Sequence, residues 1–238
     1  MKRQLARLYM KFAIGAVVLT TPAVVQATPI FTNFAPGFSY DTTTGNPVGN
    51  GLDFTGFNYA EGDTFVPVTN ASLGSIRIAL SYFTLPLAAV IVSVTRDAGD
   101  QPGAVLEAFV VPPGSLGALG SNNPPIFENS LLHPLLIAGT RYWITVSAPF
   151  IDSIAWNLNT VGDTADHALS IDGGATWFSP SGLTPGAFEV DPLVPEPGTI
   201  WLMTSGVLVF LSGRQICRLG KREGRRRCGA NLQRPAPQ

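Results

Sequence analysis

Between residues 28 and 193 the chain never sustains an apolar stripe at helical spacing. Short apolar or alternating runs recur instead, separated by clusters of turn-forming residues. Ser75-Ile76-Arg77-Ile78-Ala79-Leu80 alternates polar and apolar side chains, as a strand with one wet face does. Ala88-Ala89-Val90-Ile91-Val92-Ser93-Val94 is more continuous and reads as a central strand covered on both sides. The runs expected as strands are Phe54–Tyr59, Thr64–Val68, Leu73–Tyr82, Ala88–Thr95, Val105–Val111, Tyr142–Ser147, Ile154–Leu158, Ala168–Ile171, Thr176–Ser179 and Ala187–Val190. Asp97-Ala98-Gly99-Asp100-Gln101-Pro102-Gly103, Pro112-Pro113-Gly114, Asn122-Asn123-Pro124-Pro125 and Asp172-Gly173-Gly174 punctuate them. This pattern implies an all-β fold, a single jelly-roll-like β-sandwich, and lacks the helices a parallel βαβ fold requires. Residues 28–50, rich in Thr, Gly, Asn and Pro, are expected as a loosely held arm or a first edge strand, and 114–129 as a long surface loop.

The net charge of −1 conceals three segments. Residues 1–27 carry four basic residues and no acid. Residues 28–193 carry three basic residues (Arg77, Arg96, Arg141) against fourteen acids, which leaves −11. The remaining segment, 194–238, returns +6. So acidic a central domain argues against nucleic acid as a partner, and against anionic polysaccharide held by ion pairing. Both cysteines, Cys217 and Cys228, lie in the last segment. The central domain therefore has no disulfide and no thiolate, yet at about 166 residues it is long enough to bury a full core without them.

The two ends read as addresses. Lys2, Arg3, Arg7 and Lys11 precede a short apolar stretch from Phe12 to Thr20, and Val25-Gln26-Ala27 supplies small residues for cleavage after Ala27. That is the form of a signal peptide read by the Sec translocon, spanning 1–27. At the other end Pro195-Glu196-Pro197-Gly198 leads into an apolar run, Thr199 to Gly213, which stops at Arg214, Arg218, Lys221, Arg222, Arg225, Arg226 and Arg227. Fifteen helical residues rise roughly 22 Å, against a hydrocarbon core of about 30 Å. Extending the helix to Leu219 supplies the length at the cost of carrying Arg214, about 2.5–3.5 kcal/mol at mid-membrane. A marginal transmembrane helix over about 199–219 suits a temporary anchor, with a permanent single-pass anchor as the alternative. Positive flanks at both ends stay cytoplasmic, which puts the residues between them outside.

This tripartite tail (194–238) resembles the PEP-CTERM sorting signal of Gram-negative bacteria. The resemblance implies that a membrane-embedded exosortase reads Pro195, Glu196 and Pro197 and removes the tail. A second resemblance rests on dispersed motifs: Leu73-Gly74-Ser75-Ile76-Arg77-Ile78-Ala79-Leu80-Ser81, Gln101-Pro102-Gly103-Ala104-Val105-Leu106-Glu107, Leu136-Ile137-Ala138-Gly139-Thr140-Arg141-Tyr142-Trp143, Ala155-Trp156-Asn157, Asp172-Gly173-Gly174-Ala175-Thr176-Trp177 and Gly186-Ala187-Phe188-Glu189-Val190. Over roughly Phe54 to Val190 the chain is similar to the choice-of-anchor ectodomains, type R in particular. That similarity implies a β-sandwich at the cell surface and supplies no catalytic residues.

Catalytic chemistry finds little to stand on in the sequence. There is no Gly-x-Ser-x-Gly elbow, no phosphate-binding glycine loop and no clustered His or Cys for zinc. His133 and His167 read as ordinary loop histidines. Asp97 with Asp100 and Asp163 with Asp166 are neighbours in turns, where solvation explains them; weak Ca²⁺ binding is the only cofactor expectation they raise. Among Trp143, Trp156 and Trp177, each in a strand-like context, Trp177 is the candidate sugar platform, with burial in the core as the plainer reading. The chain is thus expected to be a non-enzymatic, exported surface or extracellular-matrix protein. It would pass through an inner-membrane intermediate and associate with exopolysaccharide or biofilm. A carbohydrate-binding or carbohydrate-cleaving module using Trp177 and nearby acids is the alternative.

Overall fold

A computed structural model describes residues 28–50, 56–84, 86–180 and 182–194. The expected signal peptide with Ala27, the Pro195-Glu196-Pro197 motif, the transmembrane helix and the basic cluster lie outside the described residues. Contacts bound the compact unit at Ala27–Val194. Among the described residues there is no α-helix, and no helix long and apolar enough to cross a membrane. The fold is all-β.

Among the described residues fourteen strands form three sheets. The first contains β1 (Phe31–Thr32), β14 (Phe188–Pro192) and β4 (Ala71–Ile78) in that order. Along the far edge of β4 lie β9 (Ile126–Asn129) and β10 (Leu135–Leu136). The second sheet runs β13 (His167–Ser170), β3 (Ala60–Phe65), β11 (Tyr142–Ser147), β6 (Val90–Asp97), β7 (Pro102–Val111). The third runs β2 (Gly45–Gly49), β12 (Ser153–Asn157), β5 (Leu80–Thr84), β8 (Gly117–Ala118), and its β5–β8 pair is parallel while the other ladders are antiparallel. Ala79 hands the chain from the first sheet to the third: its N–H donates to Ala187 O, and its carbonyl accepts from Asn157 N.

Alternation decides which side chains meet. Tyr142, Ile144 and Val146 of β11, Val90, Val92 and Val94 of β6, and Ile76 and Ile78 of β4 all enter one buried cluster. Phe65 of β3 meets Phe188 of β14 at 6.1 Å between centroids and Phe31 of β1 at 6.0 Å, so the second sheet faces the first across the core. Trp156 of β12 reaches the same Phe188 at 5.9 Å. Sheets packed face to face over one apolar core are consistent with a β-sandwich.

Several expected boundaries move. One strand, β3, takes up the polar interval after Phe54–Tyr59 and the first two residues of Thr64–Val68, while Phe54 and Thr55 lie outside the described residues. The run Leu73–Tyr82 is two strands, because Ala79 changes sheets. Thr176–Ser179 is no strand; Phe178 forms an isolated β-bridge with Leu169. Residues 28–50 supply β1 and β2, each at a sheet edge, which is the edge-strand alternative and not the loose arm, and 114–129 supply β8 and β9. In the last two cases the backbone pairs along an existing edge, which needs no apolar periodicity.

Candidate functional site

β3 carries the site. Its sequence, Ala60-Glu61-Gly62-Asp63-Thr64-Phe65, alternates, so the two carboxylates share the inward face with Phe65. Both are buried, as every residue of this strand is. The partner that makes this tolerable is His167, the first residue of β13, which lies opposite Asp63 in the antiparallel register. His167 Nδ1 is 2.7 Å from Asp63 Oδ1, and Nε2 is 2.8 Å from Glu61 Oε2, a close ion pair outside aligned hydrogen-bond geometry. The second oxygen of Asp63 accepts the Gly186 N–H at 2.7 Å.

Burial governs the charges here. It raises the Glu61 carboxyl to about 7 against the opposing pull of His167, and raises that of Asp63 as well. On His167 burial works the other way, toward the neutral form, but the flanking carboxylates outweigh it and hold the imidazole up to about 10. An imidazolium clamped between two acids has neither ring nitrogen free to act as a base. Nor do the three side chains converge on a point, because the ring itself fills the space between the carboxylates. Among the described residues no group of three His, Cys, Asp or Glu could hold a metal ion.

His167 also forms part of the wall of an open cleft of about 630 Å³, together with Arg141, Asp100, Asp166, Ser179 and Thr184. The turn acids singled out in the sequence meet here. Arg141 pairs with Asp100, lies 3.3 Å from Asp166 and is 3.9 Å from Asp97. Asp163 does not join them; it accepts from Asn33 Nδ2 at 3.0 Å. The centre of the acidic turns is thus a guanidinium, which accounts for Asp97, Asp100 and Asp166 as charge partners.

No family model, curated protein or solved structure matches the chain.

The three tryptophans separate. Trp143 and Trp156 are fully buried, with their indole N–H groups donating to Asp97 Oδ1 at 2.8 Å and Ala187 O at 3.3 Å. Trp177 is half-buried in a loop. Asp172 shapes that loop by accepting from Thr176 N and Oγ1 at 2.8 and 2.6 Å, and Gln101 Nε2 ties it down through the Trp177 carbonyl at 2.9 Å. Trp177 does not line the Arg141 cleft.

A second cleft, about 590 Å³, is lined wholly by uncharged residues, among them Phe38, Ser39, Tyr40, Thr42, Asn122 and Pro124. Phe38 adopts φ +61, a left-handed conformation costly for an aromatic residue. This places its ring 4.4 Å from the Arg77 guanidinium, which in turn pairs with Glu189 at 2.5 Å and Asp191 at 3.5 Å. Sequence reasoning passed over both arrangements. Glu61 and Asp63 were legible as two acids sharing one strand face, had that interval been taken as a strand. Phe38 leaves no comparable signal.

Proposed function

We propose that this chain is an exported, non-enzymatic surface or extracellular-matrix protein, delivered by the Sec route and tethered through its C-terminal segment. An exosortase then cleaves it at Pro195-Glu196-Pro197, and the released domain joins the exopolysaccharide layer. The observation that carries this reading is where the folded unit ends. β14 closes at Pro192 and the compact unit at Val194, so the Pro-Glu-Pro begins at the first residue past the domain. A proline-bounded tripeptide there favours an extended backbone, the form a membrane-embedded peptidase can grip. The engaged nitrogens of His167 support the non-enzymatic part. Mass spectrometry of the native protein should find the segment after Pro197 missing; an intact C-terminus recovered from envelope fractions would overturn the processing.

The uncharged cleft favours a second reading, carbohydrate binding, at a different place from Trp177. An aromatic ring beside hydroxyl and amide side chains suits a neutral sugar. A glycan array should then show binding lost in Phe38→Ala and kept in Trp177→Ala; the reverse result returns the site to Trp177, and no binding removes the reading.

A further inference from the structure

The turn between β9 and β10 is built from a buried acid and exposed leucines. Glu107 of β7 is 4 % exposed, and its carboxylate accepts from Ser130 Oγ at 2.5 Å, Leu131 N at 2.6 Å and Leu132 N at 3.1 Å. Ser130 Oγ accepts in turn from His133 N at 2.9 Å. His133 has a left-handed φ of +47, and its Nδ1 lies 3.0 Å from Leu73 O. A buried carboxylate is expensive unless fully hydrogen-bonded. Here its bonds fix a turn whose own side chains, Leu131 and Leu132, are 84 % and 70 % exposed, with Leu135 beside them at 57 %. The leucines are held outward by design of the backbone beneath them, and a rigid presentation spares the ordering cost of binding.

The described chain leaves the domain at the same end. Leu135 pairs with Ser72 on one side of β4, while on the other side Pro192 pairs with Leu73 and Leu193 N donates to Ser72 O. With strands about 4.8 Å apart, Leu135 and Leu193 are separated by roughly 10 Å. Leu193 and Val194 are themselves about half exposed. From Val194 to Thr199, where the apolar run begins, the chain spans five residues, at most about 18 Å when fully extended. If that run enters a bilayer, whose headgroup zone is only about 5–8 Å deep per leaflet, this end of the domain is held against the surface.

We propose that Leu131, Leu132 and Leu135, continued by Leu193 and Val194, form a foot that seats in a lipid surface while the chain is tethered. The inference rests on the reading that residues 199–213 enter a membrane, and it adds a second contact to that anchor. Apolar tips at the interface gain by leaving water and need no anionic lipid. Of the acids near this end, Asp97, Asp100 and Asp166 lie in or beside the second sheet around Arg141, and Asp191 of β14 is held by Ser75 and Arg77. Seating would hold the linker close to the membrane plane, where an embedded peptidase works.

The test uses the full chain in phosphatidylcholine vesicles, with Cys217→Ser and Cys228→Ser so that single labels can be placed. A nitrobenzoxadiazole probe is attached through Leu132→Cys in the foot, Ile151→Cys in the exposed loop at the opposite end of β11, or Val207→Cys in the tail. Lipid carrying a doxyl quencher should dim the probes at 132 and 207 and leave 151 bright, and Leu131→Ser should lessen the quenching at 132. Quenching at 207 without 132 overturns the foot and leaves the tail inserted. No quenching at 207 overturns membrane entry itself, and the foot with it. Quenching at 151 as strong as at 132 overturns the directed seating.

Discussion

His167 concentrates the pH response of the domain into one place, and the direction can be worked out group by group. Glu61 is raised to about 7 from an ordinary 4.5, so it costs nothing below 4.5, destabilises the fold increasingly as pH rises from 4.5 to 7, and adds no further cost above 7. Asp63 is raised too and acts in the same sense. His167 is raised to about 10 from 6.5, so its contribution is complete below 6.5 and is lost as pH rises through 10. Asp41 and Asp172 oppose these: hydrogen bonds from Thr44 and Thr176 hold each at about 2, and their support disappears as pH falls from 3.8 through 2. Thermal unfolding across pH 3–10 should therefore give its highest Tm on the acidic side, near pH 4–5, with a steady fall toward pH 10. For a domain of this size each kcal/mol moves Tm by roughly 2–4 °C. Glu61→Gln should flatten the decline between pH 5 and 7. His167→Gln should cost about 3–5 kcal/mol at neutral pH by leaving two buried acids without their counter-charge. A Tm that rises from pH 5 to pH 9 would mean that the three side chains do not share a proton system in the folded state.

At the scale of elements, the bulge where β14 meets β4 leaves no room for a side chain at Gly74. An added Cβ at Gly74 would stand 2.4 Å from Pro192 O and 2.5 Å from its carbonyl carbon, with no flexible side chain to give way. Gly74→Ala should destabilise by about 1–3 kcal/mol in denaturant unfolding, more than an alanine at Gly114, which has open space around it. The strands that were legible in the sequence are those whose apolar positions alternate against the core. Tyr142–Ser147 matches at both ends, and Val90–Asp97 is central and covered on both faces, as its continuous run implied. β3 was hidden because its inward residues are Glu61 and Asp63, whose acceptability depends on a histidine more than a hundred positions away. β9 and β10 were hidden because short strands added along β4 are stabilised by its unpaired edge groups and need no pattern of their own. The Arg141 cluster was half visible: the turns announced the acids, but only the register of β11 against β6 brings the guanidinium among them.

The whole domain separates two kinds of chemistry. Two of its three arginines are spent internally, Arg77 between Phe38, Phe127 and two acids, Arg141 among three. Two surfaces stand apart from those charges and are themselves uncharged: the Phe38 cleft and the leucine turn. The placement of β14 between β1 and β4 has a further mechanical result. A tension applied beyond Pro192 pulls along the strand axis, so hydrogen bonds to both neighbours must yield together instead of opening one at a time. A domain held at this point would resist shear across two ladders at once.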